Sequence, residues 1–243
     1  MFNLEKKVAI ITGASGGLGK SMAIALSKQG AEIAIFDIKD GKELADSLDT
    51  KSKFYKVDVS SEKDIKKNVK KVKKDFGNID ILINNAGIHF SKPITETDKK
   101  DWEKLMSINV TGYYLMAKYT YPLMNKNSRI INVSSVAGHH AFAQSAAYNS
   151  SKGAVIQLTK SMAMEFKDKA NVNAICPGIF ISPMTEDLVE TDLMKEKVEN
   201  SVLLKRVGKS DEIGGLAVYL ASEECSYMTG SIITIDGGWT SHL

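Results

Sequence analysis

The chain has 243 residues, 43% of them hydrophobic and 25% charged, with 32 Lys and Arg against 29 Asp and Glu for a net charge of +3. That is enough apolar material for a sizeable core, and it excludes disordered and collagen-like classes without requiring a nucleic-acid partner. No apolar run reaches the roughly 18 residues of a membrane span, Met1 to Lys7 holds no secretory hydrophobic segment, and the two cysteines, Cys176 and Cys225, suit a reducing compartment; a cytoplasmic protein with no membrane partner is expected.

The first ninety residues alternate strand and helix signals. Val8 to Thr12 is a short apolar run read as a buried strand, and Leu18, Met22, Ala25 and Leu26 follow at helical spacing. Glu32 to Phe36 and Phe54 to Val57 are the next strands. From Glu62 to Phe76, apolar Ile65, Val69, Val72 and Phe76 recur every three or four residues, the stripe of an amphipathic helix. Ten lysines crowd residues 51 to 75 and are read as its solvated face. Ile79 to Ile83, Arg129 to Val133, Asn171 to Ile175 and Ser231 to Ile235 continue the strands, with helices over Trp102 to Tyr119 and Ser145 to Phe166 between them. Strands alternating with helices need crossover connections, so the fold class is α/β: one doubly wound parallel sheet, helices on both faces, a single domain over 1–243.

Thr12-Gly-Ala-Ser-Gly-Gly-Leu-Gly19 joins the first strand to the first helix. A helix N-terminus presents free N–H groups and a positive dipole end, which suits a pyrophosphate. Glycines at 13, 17 and 19 permit tight turning, close ligand approach and close helix–strand packing. Asp37 ends the second strand 18 residues past Gly19, where a carboxylate can bond the hydroxyls of an adenosine ribose. Turn and acid together point to a dinucleotide. A 2′-phosphate beside Asp37 would bring like charges together, and Ser15 and Gly16 offer no compensating cation, so NAD is expected rather than NADP.

The whole pattern resembles the short-chain dehydrogenase/reductase family, from Lys7 to Gly238. The resemblance rests on the glycine turn, Val57-Asp-Val59, Asn84-Asn-Ala-Gly87, Asn109, Asn132-Val-Ser-Ser135, Tyr148-Asn-Ser-Ser-Lys152, Pro177-Gly178, Ala221-Ser222, Thr229-Gly230 and Asp236-Gly-Gly238. It implies a Rossmann-type fold and cofactor contacts from Gly13, Ser15, Gly17, Leu18, Gly19 and Asp37. It also implies that Asp58 bonds the adenine amino group with Val59 beside the ring, and that Asn85, Ala86 and Gly87 line the cofactor near its ribose. Phe180 follows the Pro177-Gly178 turn where a smaller branched residue is usual, and Ser182 stands where the family's Thr holds the nicotinamide carboxamide.

The catalytic residues implied are Asn109, Ser135, Tyr148 and Lys152. Tyr148 and Lys152, at i and i+4 of one helix, share a face. A phenol with pKa near 10 is a poor base at neutral pH, and a nearby ammonium favours its phenolate. Tyr148 is therefore expected to be the acid/base, with its pKa lowered by Lys152, which also grips the nicotinamide ribose. Ser135 ends a strand 13 residues earlier and is expected, with Tyr148, to hold the substrate oxygen. Asn109 is expected to hold a water of the proton relay beside Lys152. His89, His139 and His140 fall near the substrate loops, but no His/Cys/Asp/Glu cluster has metal-ligand spacing, so no metal is expected.

Residues 183–204 are expected to form a lid, whose apolar Met184, Leu188, Val189, Leu193, Met194 and Val198 could line a substrate pocket. No Arg precedes Arg206 there, so no fixed carboxylate clamp is evident. The expected reaction is NAD-dependent hydride exchange with a neutral secondary alcohol or ketone, a small-molecule substrate. A 3-oxoacyl thioester reductase and a sugar-acid or hydroxysteroid dehydrogenase are alternatives within the family. A catalytically silent NAD-binding regulator would be expected to have lost Tyr, Lys or Ser, and an epimerase or dehydratase would need a larger C-terminal domain. Apolar residues around the Trp102 helix (Leu105, Ile108, Tyr113, Tyr114, Leu115) and the Tyr148 helix (Val155, Leu158, Met162, Met164) suggest a homotetramer built through them, the family's common assembly.

Overall fold

The computed structural model describes residues 1–241; His242 and Leu243, the end of the expected 1–243 domain, lie outside the described residues. Seven strands form one parallel sheet: β1 (Val8–Thr12), β2 (Glu32–Asp37), β3 (Ser52–Lys56), β4 (Ile81–Asn84), β5 (Ser128–Val133), β6 (Ala170–Pro177) and β7 (Ile232–Ile235). Their order across the sheet is β3-β2-β1-β4-β5-β6-β7. The chain winds outward from β1 in one direction and from β4 in the other. The crevice at the C-terminal ends of these two strands is the topological switch point where such sheets bind ligands.

Both faces are covered, which explains the continuous apolar runs of the strands. Ala9 and Ile11 of β1 face a core built with Met22 and Leu26 of α1 (Gly17–Lys28) and Ile213 and Ala217 of the helix Glu212–Ala221. Val8 and Ile10 face the opposite core, with Ile65, Val69 and Val72 of the helix Glu62–Phe76 and Met116 and Met162 of the helices that follow. The Glu62–Phe76 helix begins at Ser61, whose side chain accepts from Asp64 N–H, and ends at Gly77 with φ +82°. The expected strand at Phe54 to Val57 pairs two residues earlier, and Ile79 and Asp80 precede β4 instead of opening it. Asp80 there accepts from Val8 N–H at 3.0 Å and pins the base of β1.

The single helix expected over Trp102 to Tyr119 is interrupted. Helix Lys99–Met106 passes through a π-helical turn, Ser107–Thr111, into helix Gly112–Thr120. The wider turn contains Asn109, fully buried, whose Oδ1 accepts from Ile88 N–H at 2.9 Å and whose Nδ2 donates to Ile88 C=O at 3.0 Å. A π-turn of this kind commonly marks a functional position. The helix Ala146–Glu165 carries Tyr148 and Lys152. Residues 183–204 hold two short helices, Glu186–Val189 and Asp192–Ser201; Val198 and Val202 bury against Val136 and Trp239.

Candidate active site

A cavity of about 550 Å³ opens at the switch point. Its two ends are built differently, and the glycine turn supplies the first. Gly13 (φ +65°) has a backbone conformation that side chains rarely adopt, and a Cβ there would sit 2.9 Å from Ala86 Cα. Gly17 (φ +52°) opens α1, whose first turn has no side-chain cap, so its N–H groups are left to the cavity. Thr12 ties the turn to the end of β4: its Oγ1 accepts from the N–H groups of Asn85 (2.9 Å) and Ala86 (3.0 Å). Asn85 Nδ2 in turn donates to the carbonyls of Thr12 and Gly13.

Asp37 stands at the tip of β2 on the cavity wall, and its carboxylate accepts from Ser15 N–H at 2.9 Å and Lys39 N–H at 3.0 Å. Asp58 accepts from Ser60 N–H and Oγ, and lines the same end with Val59. A cradle that a Cβ would fill, a row of free helix N–H groups and a carboxylate at ribose reach together fit a dinucleotide.

At the other end stand Ser135, Tyr148 and Lys152. Lys152 is 4% exposed. Its ammonium donates to Val133 C=O at 2.9 Å and lies 5.6 Å from the Tyr148 ring centre. Burial pushes the Lys152 ammonium down from 10.5 to about 8, with buried Cys176 pulling slightly the other way. Burial also pushes the Tyr148 phenol up, against a lowering hydrogen bond with Ser135. The expectation that Lys152 lowers the Tyr148 pKa is therefore corrected for the chain alone: burial raises the phenol, the lowering contact comes from Ser135, and the Lys152 ammonium donates to Val133 C=O. Ser135 Oγ also accepts from Ala137 N–H at 3.1 Å, and Ser134 Oγ donates to Lys152 C=O at 2.8 Å, which separates the roles of the two serines.

Most expected site residues come together on this wall: Gly13, Gly17, Leu18, Asp37, Asp58, Val59, Asn85, Ala86, Gly87, Ser135, Tyr148, Lys152, Phe180 and Ser182. Three do not reach it. Ser15 turns away, its Oγ donating to Lys39 C=O, so its part is to orient Asp37. Gly19 is buried inside the turn, where a Cβ would lie 2.3 Å from Gly13 O; it is a packing position. Asn109 sits behind the wall, bonded to Ile88 and to Ser151 Oγ.

Phe180 fits because Gly208 faces it: a Cβ at 208 would meet the ring at 2.7 Å. Ser182 Oγ shares a hydrogen bond with Thr185 Oγ1 at 3.0 Å. Thr185 also lines the cavity and was missed in the sequence, where only a second hydroxyl three residues on could have signalled it. Ile88 and His89 complete the reaction end, and of the apolar lid residues only Met184 reaches the wall; Leu188 and Leu193 face solvent and Val198 packs inward. Among the described residues no three His, Cys, Asp or Glu gather to hold a metal, and no helix is long and apolar enough to cross a membrane.

A turn shaped for a dinucleotide facing a Ser, Tyr and Lys cluster defines a nicotinamide-dependent oxidoreductase of the Rossmann type. A family model described as enoyl-(acyl carrier protein) reductase matches residues 13–240. An uncharacterized oxidoreductase of Thermotoga maritima is 38% identical over 98% of this chain and 99% of its own. A 3-oxoacyl-[acyl-carrier-protein] reductase of the same organism is 37% identical over 97% and 98%. The solved structure of an NADPH-dependent 3-quinuclidinone reductase from Rhodotorula rubra superposes with a TM-score of 0.93 at 29% identity, covering 99% of this chain and 94% of that one. The chain belongs to the short-chain dehydrogenase/reductase family and is an oxidoreductase.

Proposed function

We propose that this chain is an NAD-preferring dehydrogenase/reductase that interconverts a neutral secondary alcohol and its ketone. The observation that carries the reading is one cavity with Asp37 at one end and Ser135, Tyr148 and Lys152 at the other. When bound, the nicotinamide cofactor takes or returns the hydride; the chain's own residues bind it and move the proton. The Gly13 to Leu18 turn would hold the pyrophosphate, Asp37 the adenosine ribose, Asp58 and Val59 the adenine, and Asn85, Ala86 and Gly87 the nicotinamide side. Gly19, Ser15 and Asn109 support those groups from behind. Phe180 and Ser182 would flank the carboxamide.

Tyr148 is the acid/base, and Ser135 bonds the same substrate oxygen and stabilises charge developing on it. Burial lowers the Lys152 ammonium to about 8, so as pH rises through that value Lys152 becomes neutral and can take up, by way of Tyr148, the proton the alcohol gives up. Asn109 has its carboxamide committed to Ile88 and Ser151, so it positions the Ile88 backbone at the cavity, and through it any water there. Residues 183–204 act as a lid hinged beside Ser182.

The NAD preference rests on Asp37, a carboxylate already aimed by two N–H groups where a 2′-phosphate would lie. Steady-state kinetics with NAD and NADP on a panel of secondary alcohols tests the reading; a preference for NADP, or no oxidation with either, overturns it. The 37% identity to a 3-oxoacyl-[acyl-carrier-protein] reductase favours a second reading, reduction of a 3-oxoacyl thioester, which acetoacetyl thioester turnover would reveal.

We also propose a homotetramer, with fewer free apolar side chains to build it than the sequence suggests. Leu105, Tyr113, Leu115, Val155 and Met162 are buried within one subunit and Ile108 lines the cavity, which leaves Tyr114 and Met164 exposed on these helices for a second copy. Light scattering at micromolar concentration tests it.

A further inference from the structure

His89 is a polar side chain at the reaction end that proton transfer does not use. Its ring meets the Tyr148 ring edge-on, with centres 4.9 Å apart. The imidazole edge therefore lies within a few ångströms of the phenol and of any carbinol bound to it. One ring nitrogen, Nε2, is held 3.3 Å from Ser145 Oγ, and the other has no partner among the described residues. The rim that carries this pair is braced: Lys92 N–H donates to Gln144 C=O at 2.8 Å, joining the loop after β4 to the loop before the Tyr148 helix.

We propose that His89 recognises a second uncharged oxygen of the substrate, a hydroxyl or keto oxygen one or two carbons from the reacting carbon. The proposal rests on the dehydrogenase reading above and names its substrate class: neutral polyols, hydroxyketones or diketones in preference to simple alcohols. Three features support it. The imidazole is exposed at the rim, partial desolvation lowers its pKa from 6.5 and no carboxylate bonds it, so the neutral form prevails at pH 7. A neutral imidazole can donate or accept, as the free nitrogen and the tautomer require, so either oxygen type can be held. Beside it the reaction end offers Ile88, Pro183 and Met184, and its one cation there, Lys152, is bonded to Val133 C=O; a carboxylate would find no free counter-charge.

The test compares kcat/KM for substrates matched in carbon skeleton: cyclohexanol with cyclohexane-1,2-diol, and butan-2-ol with butane-2,3-diol, butane-1,3-diol and 3-hydroxybutan-2-one. Each is measured in wild type, His89→Phe, His89→Gln and Ser145→Ala. The wild type is expected to favour the second oxygen by about 10-fold or more, the net worth of one hydrogen bond. His89→Phe keeps an aromatic edge against Tyr148 and should bring the ratio to about 1, whatever happens to the absolute rate. His89→Gln, which keeps a donor and an acceptor, should restore part of it, and Ser145→Ala should lower it by freeing the ring. Comparing the 1,2- and 1,3-substituted partners identifies which carbon carries the oxygen. An unchanged ratio in His89→Phe overturns the role of His89 and leaves the dehydrogenase reading standing, as does a wild type that prefers the simple alcohols. A wild type that oxidises none of these compounds with either cofactor overturns both.

Discussion

The two ends of the cavity hold their polar groups in opposite ways. At the turn end, Asp37 and Asp58 are aimed by backbone N–H groups, and the first-turn N–H groups of α1 are left uncapped toward the cavity. At the reaction end, Lys152 and Tyr148 are side chains driven into a desolvated corner, and their protonation is set by burial. One end recognises by prearranged dipoles at little cost in desolvation. The other accepts a destabilised ammonium that loses its proton near pH 8. Substitutions at the two ends should therefore differ in kind: at the turn they alter affinity and cofactor choice, at the corner they alter rate, pH dependence and the stability of the fold.

The largest expected effect is at Tyr148. Replacing it with Phe keeps the ring and removes the proton carrier, so kcat should fall at least ~10²-fold, while cofactor affinity by fluorescence titration changes little because the turn is untouched. A near wild-type kcat would refute the acid/base assignment.

Asp37→Ala should erode the NAD over NADP preference in kcat/KM by about 10²-fold, the scale of a few kcal/mol for like charges in contact, and Asp37→Arg should reverse it. Neither should shift the pH profile of oxidation, which is the contrast with the other end.

Lys152 offers the sharpest separation. Its folded pKa, about 8, lies below the usual 10.5. Below pH 8 folded and unfolded chains both hold the proton and the penalty is constant. Between about 8 and 10.5 only the unfolded chain keeps it, so the stability of the cofactor-free protein should rise with pH across that window. At about 1.4 kcal/mol per pKa unit the rise is on the order of 3 kcal/mol. Lys152→Met should abolish that rise and raise Tm at pH 7, while it cuts kcat and moves the remaining pH profile to alkaline values set by the raised phenol. A lower Tm at pH 7 would show that the bond to Val133 C=O outweighs desolvation.

The smallest expected effect is at Gly19. Gly19→Ala puts a methyl against Gly13 O and should cost about 1–3 kcal/mol in urea unfolding, with cofactor affinity falling as the turn is displaced.

Much of this molecule was legible in order and spacing. Alternating apolar runs and amphipathic stripes require crossovers, and crossovers require a parallel sheet, so the fold followed from local pattern. Tyr148 and Lys152 share a face because they are four residues apart on a helix, a relation any helix imposes. What tertiary structure alone decided depends on what lies behind each group. Ser15 and Gly19 occupy the same turn as Gly13, yet hydrogen bonding and packing turn them from the cavity. The π-turn around Asn109 exists because its carboxamide reaches Ile88, a partner 21 residues away. The direction of the Tyr148 and Lys152 shifts follows from burial beneath β5 and β6. His89 meets Tyr148 only because two loops distant in sequence are joined at the rim. Desolvation and long-range contact are sums over neighbours in space, and local sequence pattern carries neither.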